Sequence, residues 1–256
     1  MLKLASWNVN SLKVRLEQVI HWLSASNIDV LAIQETKLLD ENFPAEAFTV
    51  LGYHVVYSGQ KTYNGVAIIS REPMQEVMMD IPNLEDPQRR ILTASIGDLR
   101  LVNLYVPNGS EVGSEKYVYK LHWLERVTQF LKEELNRYAS LAVVGDFNIA
   151  PEDIDVHDPK AWEGSVLVSP PEREALTNIM NLGLNDSFRV LHPGEQAFSW
   201  WDYRQGGFRR NHGLRIDHIL LSDELQSRCS ASEIDIVPRK NERPSDHAPI
   251  WVNLEL

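Results

Sequence analysis

"LAVVGDFNIAP", residues 141–151, joins a core strand to a polar end. The apolar run Leu141 to Val144 reads as a buried strand bounded by Gly145, and Asp146 and Asn148 then stand two residues apart. In extended chain, residues i and i+2 face the same side, so both side chains are expected to reach into one pocket at the carboxyl end of the strand. Open α/β sheets place ligands at such ends. An Asx turn closing the strand would use the same residue types. Other polar strand ends decide between the two readings.

The pattern recurs along the chain. A strand expected over 2–9 ends in "SWNVN", which puts Asn8 and Asn10 on one face. A buried strand over 28–36 ends in "IQETK" and carries Glu35. "NLYVPNG" supplies Tyr105 and Asn108, and "GLRIDHIL" places Asp217 inside an apolar strand at 214–222. "PSDHAPIW" sets Asp246 and His247 just ahead of a last strand at 249–256. One buried carboxylate is ordinarily a satisfied structural partner; a series of them at strand ends points to a site.

Helices alternate with these strands. Apolar residues at 16, 19, 20 and 23 predict a helix over 13–26, and those at 121, 124, 127, 130, 131 and 135 predict the longest one, over 115–138. Over 169–183, Ser169 as N-cap, Pro170 at the first position, Glu172 completing a capping box and Gly183 as stop mark a third. A strand pair around 53–71 and a hairpin over 89–107, turning at Gly97-Asp98, raise the strand content. Hairpins mixed with crossovers predict an α/β (α+β) protein with two mixed sheets packed face to face and helices outside. No linker or shift in composition divides residues 1–256, which are read as a single domain.

The chain is 43% hydrophobic with seven Trp, enough for a sizeable core. No apolar run approaches the ~18 residues of a membrane helix, and "MLKLASWNVN" reads as a strand without a signal-peptide core. The single Cys229 fits a reducing cytosol, so a cytoplasmic protein is expected; a monomer is expected separately. A net charge of −11 argues against a generic polyanion binder. Local basic groups remain in "DPQRR" (86–90), "YRQGGFRRNHGLR" (203–215) and "PRKNERP" (238–244). Glu, Asp and Asn oxygens are hard ligands suited to Mg²⁺ or Mn²⁺, with too little Cys and His for zinc. There is neither a phosphate-binding glycine loop nor a Ser–His–Asp elbow. The chemistry that remains is metal-assisted attack of water on a phosphate ester.

"SWNVN", "IQETK", "NLYVPNG", "GDFNIAP", "GLRIDHIL" and "SDHAP", in this order, resemble the exonuclease III branch of the endonuclease/exonuclease/phosphatase superfamily, which includes the apurinic/apyrimidinic endonucleases. The resemblance runs from Met1 to Leu256 and implies a four-layer α/β sandwich. It implies that Asn8 and Glu35 hold the divalent metal, with Asp246 near it. Asp146 would position or deprotonate the attacking water, Asn148 and Tyr105 would contact the scissile phosphate, and Asp217 would orient His247, which binds or polarises that phosphate. "GQKTYNGVAI", "DPQRR" and "FSWWDYR" are closer to the DNA-repair branch than to the lipid phosphatases. They imply duplex DNA as partner, met by Lys61, Tyr63, Asn64, Arg89, Arg90, Asn108, Trp200 and Arg204. Trp200, Leu214 and Ile216 match the pocket for a base-less sugar, although each is equally suited to a core. Asn10 departs from relatives with Asp there, which speaks against a second metal ligand at that place. The segment 157–174, which in the family meets DNA beside that pocket, also differs. The implied activities are abasic-site incision, 3′-end cleaning and 3′→5′ exonuclease action. The rivals are action on a non-DNA phosphodiester such as a phosphoinositide, and a non-catalytic DNA binder.

Overall fold

In the computed structural model, which describes residues 1–82 and 84–256, two six-stranded sheets face one another and helices cover their outer sides. The first sheet holds β1 (Leu2–Asn8), β2 (Val30–Gln34), β3 (His54–Ser58), β4 (Val66–Ser70), β13 (Cys229–Ile234) and β14 (Ile250–Leu254), in the order β13-β14-β1-β2-β4-β3. The second holds β5 (Gln75–Met78), β6 (Ile91–Ile96), β7 (Leu99–Tyr105), β8 (Leu141–Asp146), β9 (Leu184–Asp186) and β12 (Asp217–Ser222), in the order β5-β6-β7-β8-β12-β9. A two-stranded ribbon pairs β10 (Trp200–Trp201) with β11 (Gly213–Leu214). At the centre of each sheet lies one parallel pair joined through a helix. β1 and β2 flank α1 (Leu12–Ser26), and β7 and β8 flank α3 (Glu115–Arg137). Parallel neighbours end on the same side, so each sheet brings two carboxyl ends together.

The central strands are buried on both faces, which is why they read as continuous apolar runs rather than alternations. Leu4, Ala32 and Ile68 of one sheet meet Leu92, Ala142 and Val144 of the other in the inter-sheet core. The opposite faces bury Trp7, Leu31 and Ile33 under Val19, Trp22 and Leu23 of α1. They also bury Val102, Leu141 and Val143 under Trp123, Leu124 and Leu131 of α3 and Leu176 of α5 (Pro170–Met180). The four layers match the sandwich expected from the sequence. Shorter helices fill the connections: α2 (Ala45–Thr49), α4 (Pro159–Trp162), α6 (Ser187–Leu191), α7 (Gly207–Arg210) and α8 (Asp223–Gln226).

Four details depart from the sequence reading. β8 continues through Gly145 to Asp146; at φ 144° a Cβ there would lie 1.9 Å from the Leu104 carbonyl oxygen of the parallel neighbour, so the position admits only glycine. The strand expected over 214–222 is interrupted between Leu214 and Asp217, because Arg215 turns inward onto the Asp155 and Asp186 carboxylates and its N–H bonds to the Asp155 carbonyl. Asp217 therefore heads β12 rather than lying within it. On α3, Lys120 and Glu134 are buried while Leu121 and Leu135 are only partly so, since each charged group has a buried partner, Glu172 and Arg100 respectively. The predicted third helix has its Ser169–Glu172 capping box but stops at Met180, with Gly183 beyond it at φ 98°.

Candidate active site

The polar strand ends meet at one end of the sandwich, across the seam between the sheets. Asn8 closes β1, Glu35 follows β2, Tyr105 closes β7 and Asp146 closes β8. Two antiparallel strands add the rest: β12 sets Asp217 directly opposite Asp146, and His247 precedes β14, the neighbour of β1. A polar clip ties the sheets just beneath. Gln34 Nε2 donates to Asn103 Oδ1 at 2.7 Å and to Ser6 Oγ at 3.0 Å, and Asn103 Nδ2 donates to the Ile33 and Ala67 carbonyls at 3.0 Å.

The side chains form one network. Asn8 Nδ2 donates to Glu35 Oε1 and Asp146 Oδ2, both at 2.9 Å. Asn148 N–H donates to Asp146 Oδ1 at 2.8 Å, and its side-chain amide donates to the Val106 carbonyl at 3.0 Å. Asn108 Nδ2 donates to Asn148 Oδ1 at 3.1 Å. His247 Nδ1–H donates to Asp217 Oδ2 at 2.8 Å, while Nε2 lies 3.7 Å from Asp146 Oδ2. Ser199 Oγ–H donates to the same Asp217 oxygen at 2.6 Å. Asn10, Glu35, Lys37, Asn64 and Asn148 all have left-handed backbones at φ 44–55°. Non-glycine residues adopt that region at a conformational cost, and such residues gather at functional sites.

Burial shapes the ionisation. Desolvation of His247 opposes its charged form, but the Asp217 and Asp146 carboxylates outweigh it and raise the ring to about 10. An imidazolium results at neutral pH, with Nδ1–H fixed on Asp217 and Nε2–H turned to the site. Asp146 is raised to about 7, chiefly by burial, with His247 pulling against that and Asp217 adding to it. Burial likewise lifts the Tyr105 hydroxyl well above its ordinary range, helped by Glu35 and Asp146, so it stays a donor.

One atom each of Glu35, Asp146 and His247 lies within 4.8 Å of the others. Glu35 and Asp146 offer carboxylate oxygens of the kind that suits Mg²⁺ or Mn²⁺; Asn8 turns its Nδ2 to them, its Oδ1 being held by the Asn10 N–H at 2.9 Å. Asp246 does not join that cluster; its oxygens take hydrogen bonds from Asn10 Nδ2 at 2.9 Å and Trp200 Nε1 at 3.0 Å. Lys37 Nζ, 2.9 Å from Glu35 Oε2, also bonds to Asn10 Oδ1 and fills the side where a second ligand was in question.

The residues expected to face DNA divide in two. Lys61, Tyr63, Asn108 and Arg204 are exposed, and Arg89 is half-buried in an ion pair with Asp80. Arg90 is buried against Tyr105: its guanidinium lies 4.8 Å above the ring and donates to Gln88 and to the Tyr105 carbonyl, so it supports that tyrosine from behind. Asn64 is buried too, its amide bonded to Gln60 and Gln88. Leu214 and Ile216 are fully buried with Ala150, Val156, Leu167 and Val168, and only Trp200 of the three pocket residues is partly open. Sequence reasoning missed Ser199 and Ser245. Ser245 accepts from the His247 N–H at 3.2 Å and donates to the Asn8 carbonyl at 2.7 Å. "SDHAP" held that signal for Ser245, whereas nothing near Ser199 marked it.

Two mixed sheets packed face to face between helices make the deoxyribonuclease I-like α/β sandwich, with carboxylates, carboxamides and a histidine gathered at one end of the seam. Residues 5–247 match the Endonuclease/Exonuclease/phosphatase family, and the chain belongs to that family, in its exodeoxyribonuclease III branch. Exodeoxyribonuclease III of Haemophilus influenzae is 38% identical, over 99% of this chain and 100% of its own. DNA repair nuclease APEX1 of Danio rerio is 32% identical, over 99% of this chain and 82% of its own. Among solved structures, the 3′ phosphatase NExo from Neisseria, bound to a product DNA hairpin, superposes with a TM-score of 0.99 at 44% identity over the whole of both chains. An AP endonuclease from Archaeoglobus fulgidus does so with 0.97 at 41%, again over both whole chains.

Proposed function

We propose that this protein is a Mg²⁺-dependent phosphodiesterase of duplex DNA, acting in repair on abasic sites and on 3′ ends, as a monomer in the cytosol. The observation that carries the reading is the His247–Asp217 pair set against Asp146, beside Glu35. In this reading Glu35 and Asp146 would hold the ion, with the Asn8 amide beside them, and the ion would supply a Lewis acid for the phosphate oxygens. His247 presents a positive N–H to the phosphate, and Tyr105 presents a hydroxyl donor. Asp146 accepts a proton from, or orients, the attacking water; Asn148 holds that carboxylate through its backbone N–H and faces the phosphate. The exposed Lys61, Tyr63, Asn108 and Arg204 would meet the DNA backbone, local contacts that a negative net charge does not prevent. The named activities of the relatives support the same class.

The test is a panel of labelled duplexes carrying an abasic site, a 3′-phosphate, a recessed 3′ end or a 3′ mismatch, with and without Mg²⁺, beside a soluble inositol phosphate. Metal-dependent product from at least one duplex is expected. Turnover of the inositol phosphate alone would assign the site to another phosphodiester, and salt-dependent DNA binding without cleavage would make the protein a binder only.

A further inference from the structure

Lys120 is completely buried in the second turn of α3, against the segments that follow β7 and β8. Its ammonium has three acceptors: the Asn148 carbonyl at 2.7 Å, the Asn108 carbonyl at 3.1 Å, and the Glu172 carboxylate. An ammonium has three N–H donors, so the group is fully satisfied. Glu172, also completely buried, receives the N–H of Leu167 at 3.0 Å and of Ser169 at 3.2 Å, together with the Ser169 hydroxyl. Tyr117 closes the network through a 2.7 Å bond between its hydroxyl and Ser169 Oγ.

A desolvated ion pair is a poor stabiliser, since apolar side chains of similar volume commonly serve as well or better. Here the ammonium joins the backbones of two segments from different strands. Asn148 has φ 49° and Asn108 precedes Gly109 at φ 94°, left-handed conformations that carry a cost and that the bonds to Lys120 help to hold. With both peptide carbonyls drawn inward to Lys120, the Asn108 and Asn148 side chains meet on the site side.

We propose that Lys120 and Glu172 are a positioning pair that sets the two asparagines against the reacting phosphate. The proposal rests on the phosphodiesterase reading above. The test compares Lys120→Met, Lys120→Arg and the double variant Lys120→Met/Glu172→Gln with the parent, in kcat and KM for cleavage with saturating Mg²⁺ and in Tm. Misplacement of such groups by about 1 Å costs ~100-fold in rate, so Lys120→Met should lose about that much kcat with KM within ~3-fold, and Lys120→Arg should recover part of it. The double variant leaves no unpaired buried charge, so its Tm should return toward the parent value while kcat stays low. If kcat returns together with Tm, or if Lys120→Met retains parental kcat, the pair is only structural and the proposal is wrong. Should Lys120→Met fail to fold, the double variant decides. A parent that cleaves no duplex would refute the phosphodiesterase reading instead. The pair would then be judged by ¹⁵N-asparagine spectra, in which the double variant must move the Asn108 and Asn148 amides while Asn185 and Asn253 stay in place. Unmoved signals at Asn108 and Asn148 would overturn it.

Discussion

Replacing Asp217 with Asn should convert His247 from a permanently charged ring to one that titrates in the working range. The parent ring stands at about 10 instead of 6.5, a preference for the charged form worth roughly 5 kcal/mol. Asp217 is the largest contributor on the raising side, through a 2.8 Å bond that an Asn oxygen can imitate in shape but not in charge. With that charge gone, burial opposes the charged ring while Asp146 and Asp246 still favour it, so its pKa should fall toward the ordinary 6.5. At pH 7.5 a ring of pKa 6.5 is about one-tenth charged, which alone removes ~10-fold in rate. Loss of the fixed tautomer adds a comparable factor, for ~100-fold in kcat. The sign is definite: a raised histidine pKa means charge present below it, so the Asp217→Asn deficit should shrink about tenfold as pH falls from 7.5 to 5.5. The quantity to follow is the ratio of variant to parent in single-turnover cleavage, because Asp146 titrates in both. A ratio that is constant with pH would mean Asp217 does not act through the charge on His247. The companion double variant with His247→Ala should be little worse than His247→Ala alone, and losses that simply multiply would separate the two residues.

Asp146→Asn should bind duplex with parental affinity yet lose ~10²–10⁴ in turnover, because the amide keeps the shape and removes the proton acceptor; filter binding beside single-turnover rates would show it, and full activity would take Asp146 out of the chemistry. Glu35→Ala should raise the Mg²⁺ concentration needed for half-maximal rate by ~10-fold or more, since neutral Asn8 cannot replace a carboxylate oxygen; an unchanged metal titration would rule out Glu35 as a ligand. Asp186 should give the fold an acid limit. Burial would raise this carboxyl, but the Arg215 guanidinium overrides it and holds it at about 2 rather than 3.8. A depressed pKa contributes stability in full above about pH 4, here ~2–3 kcal/mol, and loses it as pH falls toward 2. Urea unfolding of Asp186→Asn should show a flatter slope across that interval, and an identical slope would contradict the assignment.

The parts legible in the sequence were those written in local patterns. Leu141–Val144 and Leu31–Ile33 announce buried strands because both faces are covered, and Ser169 with Glu172 announces a helix start because the capping bonds are made within four residues. The site was legible because each of its groups stands at a strand end. Less visible were features set by partners far along the chain. Lys120 resembles any surface lysine until Glu172 and the two asparagine carbonyls are placed around it. Arg90 resembles a DNA contact until Tyr105 is seen beneath it, and the break at Arg215 depends on Asp155 and Asp186. The edge strands β5 and β13 are short and partly polar, so periodicity gives them little signature.

The pairing of β1 with β14 has a consequence for synthesis. Leu2 lies opposite Leu254 and Ser6 opposite Ile250, so the strand made among the first waits for one made some 240 residues later. Asn8 and His247 stand at the site ends of those two strands. A ribosome releases residues in order, and a contact so distant in sequence forms late and slowly. Until 247–254 emerge, Glu35 and Asp146 stand without His247, and β1 has only β2 beside it. The site groups at the ends of β1 and β14 are therefore brought together only when the last of these strands docks.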